Sequence, residues 1–219
     1  MARAKARGRG MLSALQAWDV AASQAVFQAA PRPLRPLIFL ACALLELSAH
    51  GALLIPLLGA FVWALPLPPA AHAFFLCLFA ASLADLVLVA TIKLLCGRVR
   101  PAHNTTELHP SIQIDKLSFP SGHASRATLV AAYCMLAARG LAPVDGACGV
   151  LAHDSHVLLA WLHAACASCI SAANAGPWLC VWAASVVFSR VLLGRHFVVD
   201  VSVGTVLGLS QAVALAALF

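Results

Sequence analysis

The chain has 219 residues, of which 62% are hydrophobic and only 10% charged, with a formal net charge of +6. A soluble domain must cover its surface with polar groups, about a quarter of its residues being charged, and this chain has too few to do so. Disorder is excluded as well, because it requires low hydrophobicity. What remains is an integral membrane protein of one domain.

In chain order, Arg3, Lys5, Arg7 and Arg9 form a basic tail. Basic residues before the first membrane segment favour the cytosolic side, so the N-terminus is expected there. No basic face with interleaved aromatics follows, so nucleic acid is not an expected partner. Residues 11–27 are interrupted by Gln16, Asp19, Ser23 and Gln24, unlike the apolar core of a signal peptide. Met11, Leu15, Trp18, Ala22 and Val26 recur at helical spacing, which predicts an amphipathic helix along the membrane surface. Residues 1–33 are thus read as a tail and surface helix, and 34–219 as the membrane-embedded domain.

A bilayer core of about 30 Å takes roughly 20 apolar residues in a helix. Residues 37–65 are apolar but interrupted by Glu46, Ser48, His50 and Gly51, and 71–96 form the cleanest span. Residues 124–141, 177–193 and 199–219 supply further spans. A polar stretch, 97–123, and a Gly/Ala/Cys-rich stretch, 140–176, lie between them, the latter enclosing a weakly apolar piece at 157–173. No fixed-period repeat is present. The expected fold is all-α, a polytopic membrane bundle of about five or six helices. The eight cysteines have no framework spacing and read as small hydrophobes. Cys166 and Cys169, with His163 nearby, lack the second ligand pair of a zinc site, so no metal is expected.

The remaining charges cluster at the ends of apolar segments. The first cluster is Lys93-Leu-Leu-Cys-Gly-Arg98-Val-Arg100-Pro101. Lys93 and Arg100 share a face if the helix continues, and Pro101 restricts Arg100 to extended geometry, so the helix ends there. The second is Phe119-Pro120-Ser121-Gly122-His123-Ala124-Ser125-Arg126. Its Gly lets the backbone approach a ligand, and the N–H groups of a starting helix face an anion. The third runs from Ser189-Arg190 through Gly194-Arg195-His196 to Asp200. His196 and Asp200 are spaced to meet on one helix face, where a hydrogen bond would fix the imidazole tautomer. Three cations, two histidines, one carboxylate and small donors suit phosphate. No Asp/Glu cluster is present to hold magnesium, whereas two histidines allow a metal-free route in which one attacks phosphorus and the other protonates the leaving oxygen.

Taken together, the three segments resemble the type 2 phosphatidic acid phosphatase superfamily, whose signature reads K-x6-R-P, P-S-G-H and S-R-x5-H-x3-D. All three parts match, from Lys93 to Pro101, Pro120 to His123 and Ser189 to Asp200. The resemblance covers roughly residues 35–219 and implies a magnesium-independent lipid phosphatase without cofactor, its site at the helix ends on one membrane face. It implies that His196 is the nucleophile that forms a phosphohistidine, that Asp200 orients it, and that His123 is the general acid and then the base. It further implies that Lys93, Arg100, Ser121, the Gly122 backbone N–H and Arg190 bind the phosphoryl oxygens, with Pro101 and Pro120 shaping the segments. Vanadium haloperoxidases share the signature but are largely soluble. Within the superfamily the wording is closest to polyisoprenoid (presqualene) diphosphate phosphatases, through Asp85-Leu-Val-Leu-Val-Ala-Thr-Ile-Lys93, Arg100-Pro-Ala-His-Asn104, residues 115–126 and residues 189–196. The expected partners are an isoprenoid diphosphate or related lipid phosphate and membrane lipids, in the endoplasmic reticulum or another internal membrane. Phosphatidate or sphingoid phosphate is the alternative substrate, and a catalytically silent scaffold of the same fold the alternative function.

Other charges get simpler readings. Arg98, Arg126 and Arg195 are expected at lipid headgroups, with Arg126 the best candidate for a substrate role. Asp85 is costly inside a span and is a candidate support for Lys93. Glu46 and His50 are spaced to pair with each other. His103, Asn104, Glu107, His109, His153 and His156 are expected in solvated loops. The motifs must also meet on one side of the membrane. An even number of crossings must therefore separate the second from the third, so 157–173 is expected not to span. The scarcity of Lys and Arg on the far side, Arg139 apart, favours a cytosolic site.

Overall fold

In a computed structural model, residues 2–67, 69–101, 116–139, 141 and 172–217 are described. Among them are seven α-helices: α1 (Ala2–Gln28), α2 (Arg35–Ser48), α3 (Gly51–Trp63), α4 (Pro69–Cys96), α5 (Gly122–Ala138), α6 (Ala172–Leu192) and α7 (Val198–Ala217). A 3-10 turn at Arg32–Leu34 separates α1 from α2. Residues 102–115 and 142–171 lie outside the description, and with them His103, Asn104, Glu107, His109, His153, His156, His163, Cys166, Cys169 and nearly all of the segment 157–173.

The polarity of the bundle is inverted relative to a soluble protein. Leu37, Trp63, Val87, Leu95 and Trp178 are exposed, whereas Asp19, Asp85, Asp200, Arg126 and Arg190 are buried. Such an exterior belongs in hydrocarbon, where polar groups survive only inside the protein. Ala71–Cys96 and Val198–Ala217 are long and apolar enough to cross a membrane, and α2 with α3 qualifies as one span broken by a 42° bend. The break falls at Ala49 and His50, inside the interruption visible in the sequence. There His50 caps α3, its Nδ1 accepting the Ala52 N–H at 3.3 Å. Arg126 Nη1 donates to the orphaned Ala49 carbonyl at 3.3 Å.

Helix α5 is the hub, packed most extensively on α7 and then on α6. Being enclosed by protein, it can hold Ser125 and Arg126 where a lipid-facing helix could not. Its approach to α7 depends on two small residues a turn apart. A Cβ on Gly204 would stand 2.5 Å from the Ser121 carbonyl oxygen, and one on Gly208 2.0 Å from that of Ser125. Small residues at this spacing let helix backbones meet closely. The contact brings the start of α5 against the start of α7, where the Ser121 N–H donates to the Asp200 carbonyl at 3.0 Å. The five described cysteines, Cys42, Cys77, Cys96, Cys134 and Cys180, are free thiols.

Candidate active site

Four chain segments converge at one end of the bundle. The stretch after α4 pairs with the stretch before α5 through an isolated antiparallel bridge, Val99 with Leu117. The Ser118 N–H donates to the Arg98 carbonyl at 2.7 Å, and the Ser118 hydroxyl lies 3.2 Å from the carbonyls of Arg98 and Val99. Lys93 is held by the same pairing, its Nζ donating to the Leu117 carbonyl at 3.1 Å. The Phe119–Pro120 peptide is cis. Ser121 then caps α5, its hydroxyl accepting the Ala124 N–H at 3.4 Å. A helix start leaves its first N–H groups without intrahelical partners, and here they belong to Gly122 and His123.

His196 sits in the turn between α6 and α7 and is buried to 2% exposure. Gly194, with a φ of 69° that favours glycine, allows the chain to reverse there. The Nδ1 of His196 lies 2.7 Å from the Ser118 carbonyl oxygen. A carbonyl only accepts, so Nδ1 carries the proton and Nε2 keeps its lone pair. The Asp200 carboxylate stands 3.8 Å from Nδ1, which is not hydrogen-bonding distance. The tautomer is therefore set by Ser118, where the spacing alone points to Asp200. One Asp200 oxygen instead accepts the Phe197 N–H at 2.9 Å, as the third residue of a helix does in a capping box. Its other oxygen receives Arg98 Nη1 at 2.6 Å. Burial pushes the His196 pKa down to about 3 against the pull of Asp200, with Arg190, Arg100 and Lys93 adding to the effect of burial. The imidazole is thus neutral, with the Nε2 lone pair free.

His123 lies within electrostatic reach of Arg190, Arg126, His196 and His50, so Arg190 acts on both histidines. Its ring is 5.4 Å from that of His50, and its buried Nε2 makes no hydrogen bond. Arg190 is buried to 1% exposure, and its Nε makes no hydrogen bond. Its Nη1 lies 3.0 Å from Glu46, and Arg195 Nη1 lies 3.1 Å from the other oxygen of the same carboxylate. Glu46 therefore pairs with two site arginines rather than with His50. Arg195 is buried rather than at a headgroup. Among the described residues no group of three His, Cys, Asp or Glu is placed to hold a metal.

Two neighbours of the site differ from their sequence reading. Asp85 does not reach toward Lys93. It accepts from Ser125, from Gln211 at 3.1 Å, and pairs with Arg126 at 3.2 Å. Arg126 is thereby committed to helix packing. Arg98 is partly buried and bridges Asp200 and Asp19, each at 2.6 Å, with its guanidinium 4.1 Å from the Phe197 ring centroid. Glu46, Arg98, Asp19 and Ser118 are site residues that sequence reasoning missed. An acid inside an apolar span was the available signal for Glu46, and the Asp19, Ser23 pair four residues apart for the N-terminal helix.

Residues 73–219 match the family model described as the PAP2 superfamily. A curated relative from Arabidopsis thaliana, "Probable lipid phosphate phosphatase beta", is 33% identical over 196 residues, covering 89% of this chain and 85% of its own length. Among solved structures, the fold is similar to the transmembrane PAP2-type phosphatidylglycerolphosphate phosphatase from Bacillus subtilis. The TM-score is 0.60 and the identity 24%, over 93% of this chain and 85% of that one. It is similar also to LpxE from Aquifex aeolicus, with a TM-score of 0.53 and 20% identity, over 91% of this chain and 94% of that one. A site of two histidines among convergent cations, at the end of a helical membrane bundle that the family model covers for most of its length, leads to one conclusion: the chain belongs to the PAP2 superfamily and is a membrane phosphatase.

Proposed function

We propose that the chain hydrolyses a lipid phosphate or diphosphate through a phosphohistidine on His196, without a metal. The observation that carries this reading is the tautomer of His196: Nδ1 is tied to the Ser118 carbonyl at 2.7 Å, which leaves Nε2 as the attacking atom. In the first step Nε2 forms a bond to phosphorus while the bond from phosphorus to the leaving oxygen breaks. His123 gives its proton to that oxygen, which leaves as the lipid alcohol or, from a diphosphate, as the lipid monophosphate. In the second step His123 takes a proton from water, the water oxygen attacks phosphorus, and the P–N bond breaks to release inorganic phosphate. Lys93, Arg100, Arg190, Ser121 and the Gly122 N–H are assigned to the phosphoryl oxygens, whose charge they stabilise in the transition state. Asp200 serves as counter-charge to the imidazolium that forms when Nε2 is phosphorylated. Pro101 and Pro120 bound the flanking segments.

The preferred substrate in this reading is an isoprenoid diphosphate, supported by the wording around the three motifs. A lipid phosphate monoester is the second reading, favoured by the name of the Arabidopsis relative. Turnover of farnesyl diphosphate, phosphatidate and sphingosine phosphate, measured side by side in detergent with chelator present, decides between them. A kcat/KM highest for the diphosphate is expected, and a higher value for phosphatidate reverses the preference. Turnover lost on chelation overturns the metal-free route.

A further inference from the structure

We propose that the N-terminal helix α1 belongs to the catalytic apparatus, with Asp19 positioning Asp200 and His196 through Arg98. The inference rests on the assignment of His196 as nucleophile.

It starts from a defect in α7. The residue before its first turn is Phe197, whose side chain cannot accept a hydrogen bond, so the first N–H groups of α7 have no cap of their own. Helix α1 supplies one from outside. The Ser23 hydroxyl accepts the Val198 N–H at 2.9 Å, and Asp19 Oδ1 accepts the Val199 N–H at 2.9 Å. A carboxylate at this position also meets the positive end of the helix dipole. Ser23 is fixed in turn by donating to the Asp19 carbonyl at 2.6 Å.

The second Asp19 oxygen receives Arg98 Nη2, and the other arm of that guanidinium holds Asp200, both at 2.6 Å. A single planar fork thus spans two carboxylates, and its face lies on the Phe197 ring. The backbone of Arg98 acts on His196 by a second route, since its carbonyl receives the Ser118 N–H and the Ser118 carbonyl receives His196 Nδ1. Both neighbours of the Nδ1 edge are therefore set by one residue, and that residue is anchored to α1.

The way α1 docks points in the same direction. Asp19 and Ser23 are each 1% exposed, whereas Leu15 and Trp18 on the same helix are 52% and 56% exposed. The apolar residues stay on the exterior, as elsewhere on the bundle, and α1 turns these two polar residues inward. Burying an aspartate is costly unless it is paired, and here the pairing reaches the reacting histidine. The charged groups facing His196 are Asp200, Arg190, Arg100, Lys93 and His123. Asp200 is the carboxylate among them, so the share of its charge that Arg98 neutralises bears directly on the imidazolium. Asp19 sets that share by holding the other side of the guanidinium.

The test uses the full chain in detergent micelles, with phosphate release from farnesyl diphosphate and from phosphatidate, and His196→Ala as the blank. Asp19→Asn is expected to lower kcat about tenfold with KM within twofold. Asp19→Glu should restore more than half of the lost kcat, and Asp19→Asn should cost nothing further in an Arg98→Gln background. Ser23→Ala, which leaves the ion pairs intact, should lose less than threefold. A wild-type kcat in Asp19→Asn overturns the proposal. So does a Ser23→Ala loss equal to that of Asp19→Asn, because α1 would then act only as a cap. If Asp19→Asn does not fold, Arg98→Lys decides: it keeps the charge but cannot bridge both carboxylates, and an unchanged kcat overturns the proposal. Equal release by the wild type and His196→Ala is a separate failure, that of the nucleophile assignment, and it removes the proposal with it.

Discussion

Two polar clusters touch α5, and they differ in how their charges are shared. At its start Arg98 is shared between Asp19 and Asp200, and Glu46 between Arg190 and Arg195. The cluster a turn further along sets Arg126 against Asp85, one to one, with Ser125 and Gln211 filling the remaining positions on Asp85. A matched pair in an apolar interior ties helices together. Two arginines that share one carboxylate keep donors to offer an anion, and the Nε atoms of Arg190 and Arg195 make no hydrogen bond. The comparison teaches that the way charge is shared, not burial alone, separates the candidate site from the scaffold.

Replacing the proposed nucleophile tests the cluster at the start of α5 with the largest effect. His196→Ala is expected to lower phosphate release by about three orders of magnitude or more while the chain stays folded in the membrane. Activity near that of the wild type would place the chemistry elsewhere. The matched cluster should respond in stability rather than in rate. Asp85→Ala leaves Arg126 buried without its partner and should cost about 3–5 kcal/mol, read as a lower melting temperature in detergent. Replacing both, as Asp85→Leu with Arg126→Met, should recover most of it, and a double variant as unstable as the single one would show that the pair is not what holds α4 to α5.

Acidification sharpens the contrast further. The His196 pKa is held near 3 in the fold against an ordinary 6.5, so the unfolded chain binds this proton first as pH falls. Its contribution to stability is therefore complete above about pH 6.5 and is lost progressively toward pH 3. Melting temperature should fall across that window, and His196→Asn should flatten part of the slope. An identical slope in the variant would assign the effect to other groups. The smallest effect is expected from Glu46→Gln, which frees Arg190 and Arg195 of the counter-charge they share. Inhibition by inorganic phosphate should strengthen roughly fivefold. Unchanged or weaker inhibition would mean that Glu46 shapes the arginines more than it competes with the anion.

Much of this was legible in the sequence, for reasons that differ by residue. The spans show because hydrocarbon demands long apolar runs, and the break near Glu46 to Gly51 shows because polar residues and a glycine interrupt one. The motif residues show because their spacing is local. Glu46 was read toward His50, four residues away, because helical neighbours are what spacing can reveal; its partners Arg190 and Arg195 lie on another helix. Asp85 was read toward Lys93 on its own helix for the same reason, and it faces Arg126 across the bundle instead. The amphipathic reading of α1 found the helix but not its inward face, since Asp19 and Ser23 are buried by partners far along the chain.

The sequence alone determined the solvent, the order of the helices and the identity of the phosphate chemistry, because composition reports the medium and motifs carry reactive groups at short, fixed separations. The tertiary structure alone decided which hydrogen bond sets the tautomer of His196, which arginines are spoken for, and that α1 caps α7. Those outcomes depend on contacts between segments that only packing brings together. The close crossing at Gly204 and Gly208 aligns α5 with α7, and the missing cap at Phe197 leaves N–H groups that a distant aspartate and serine can fill.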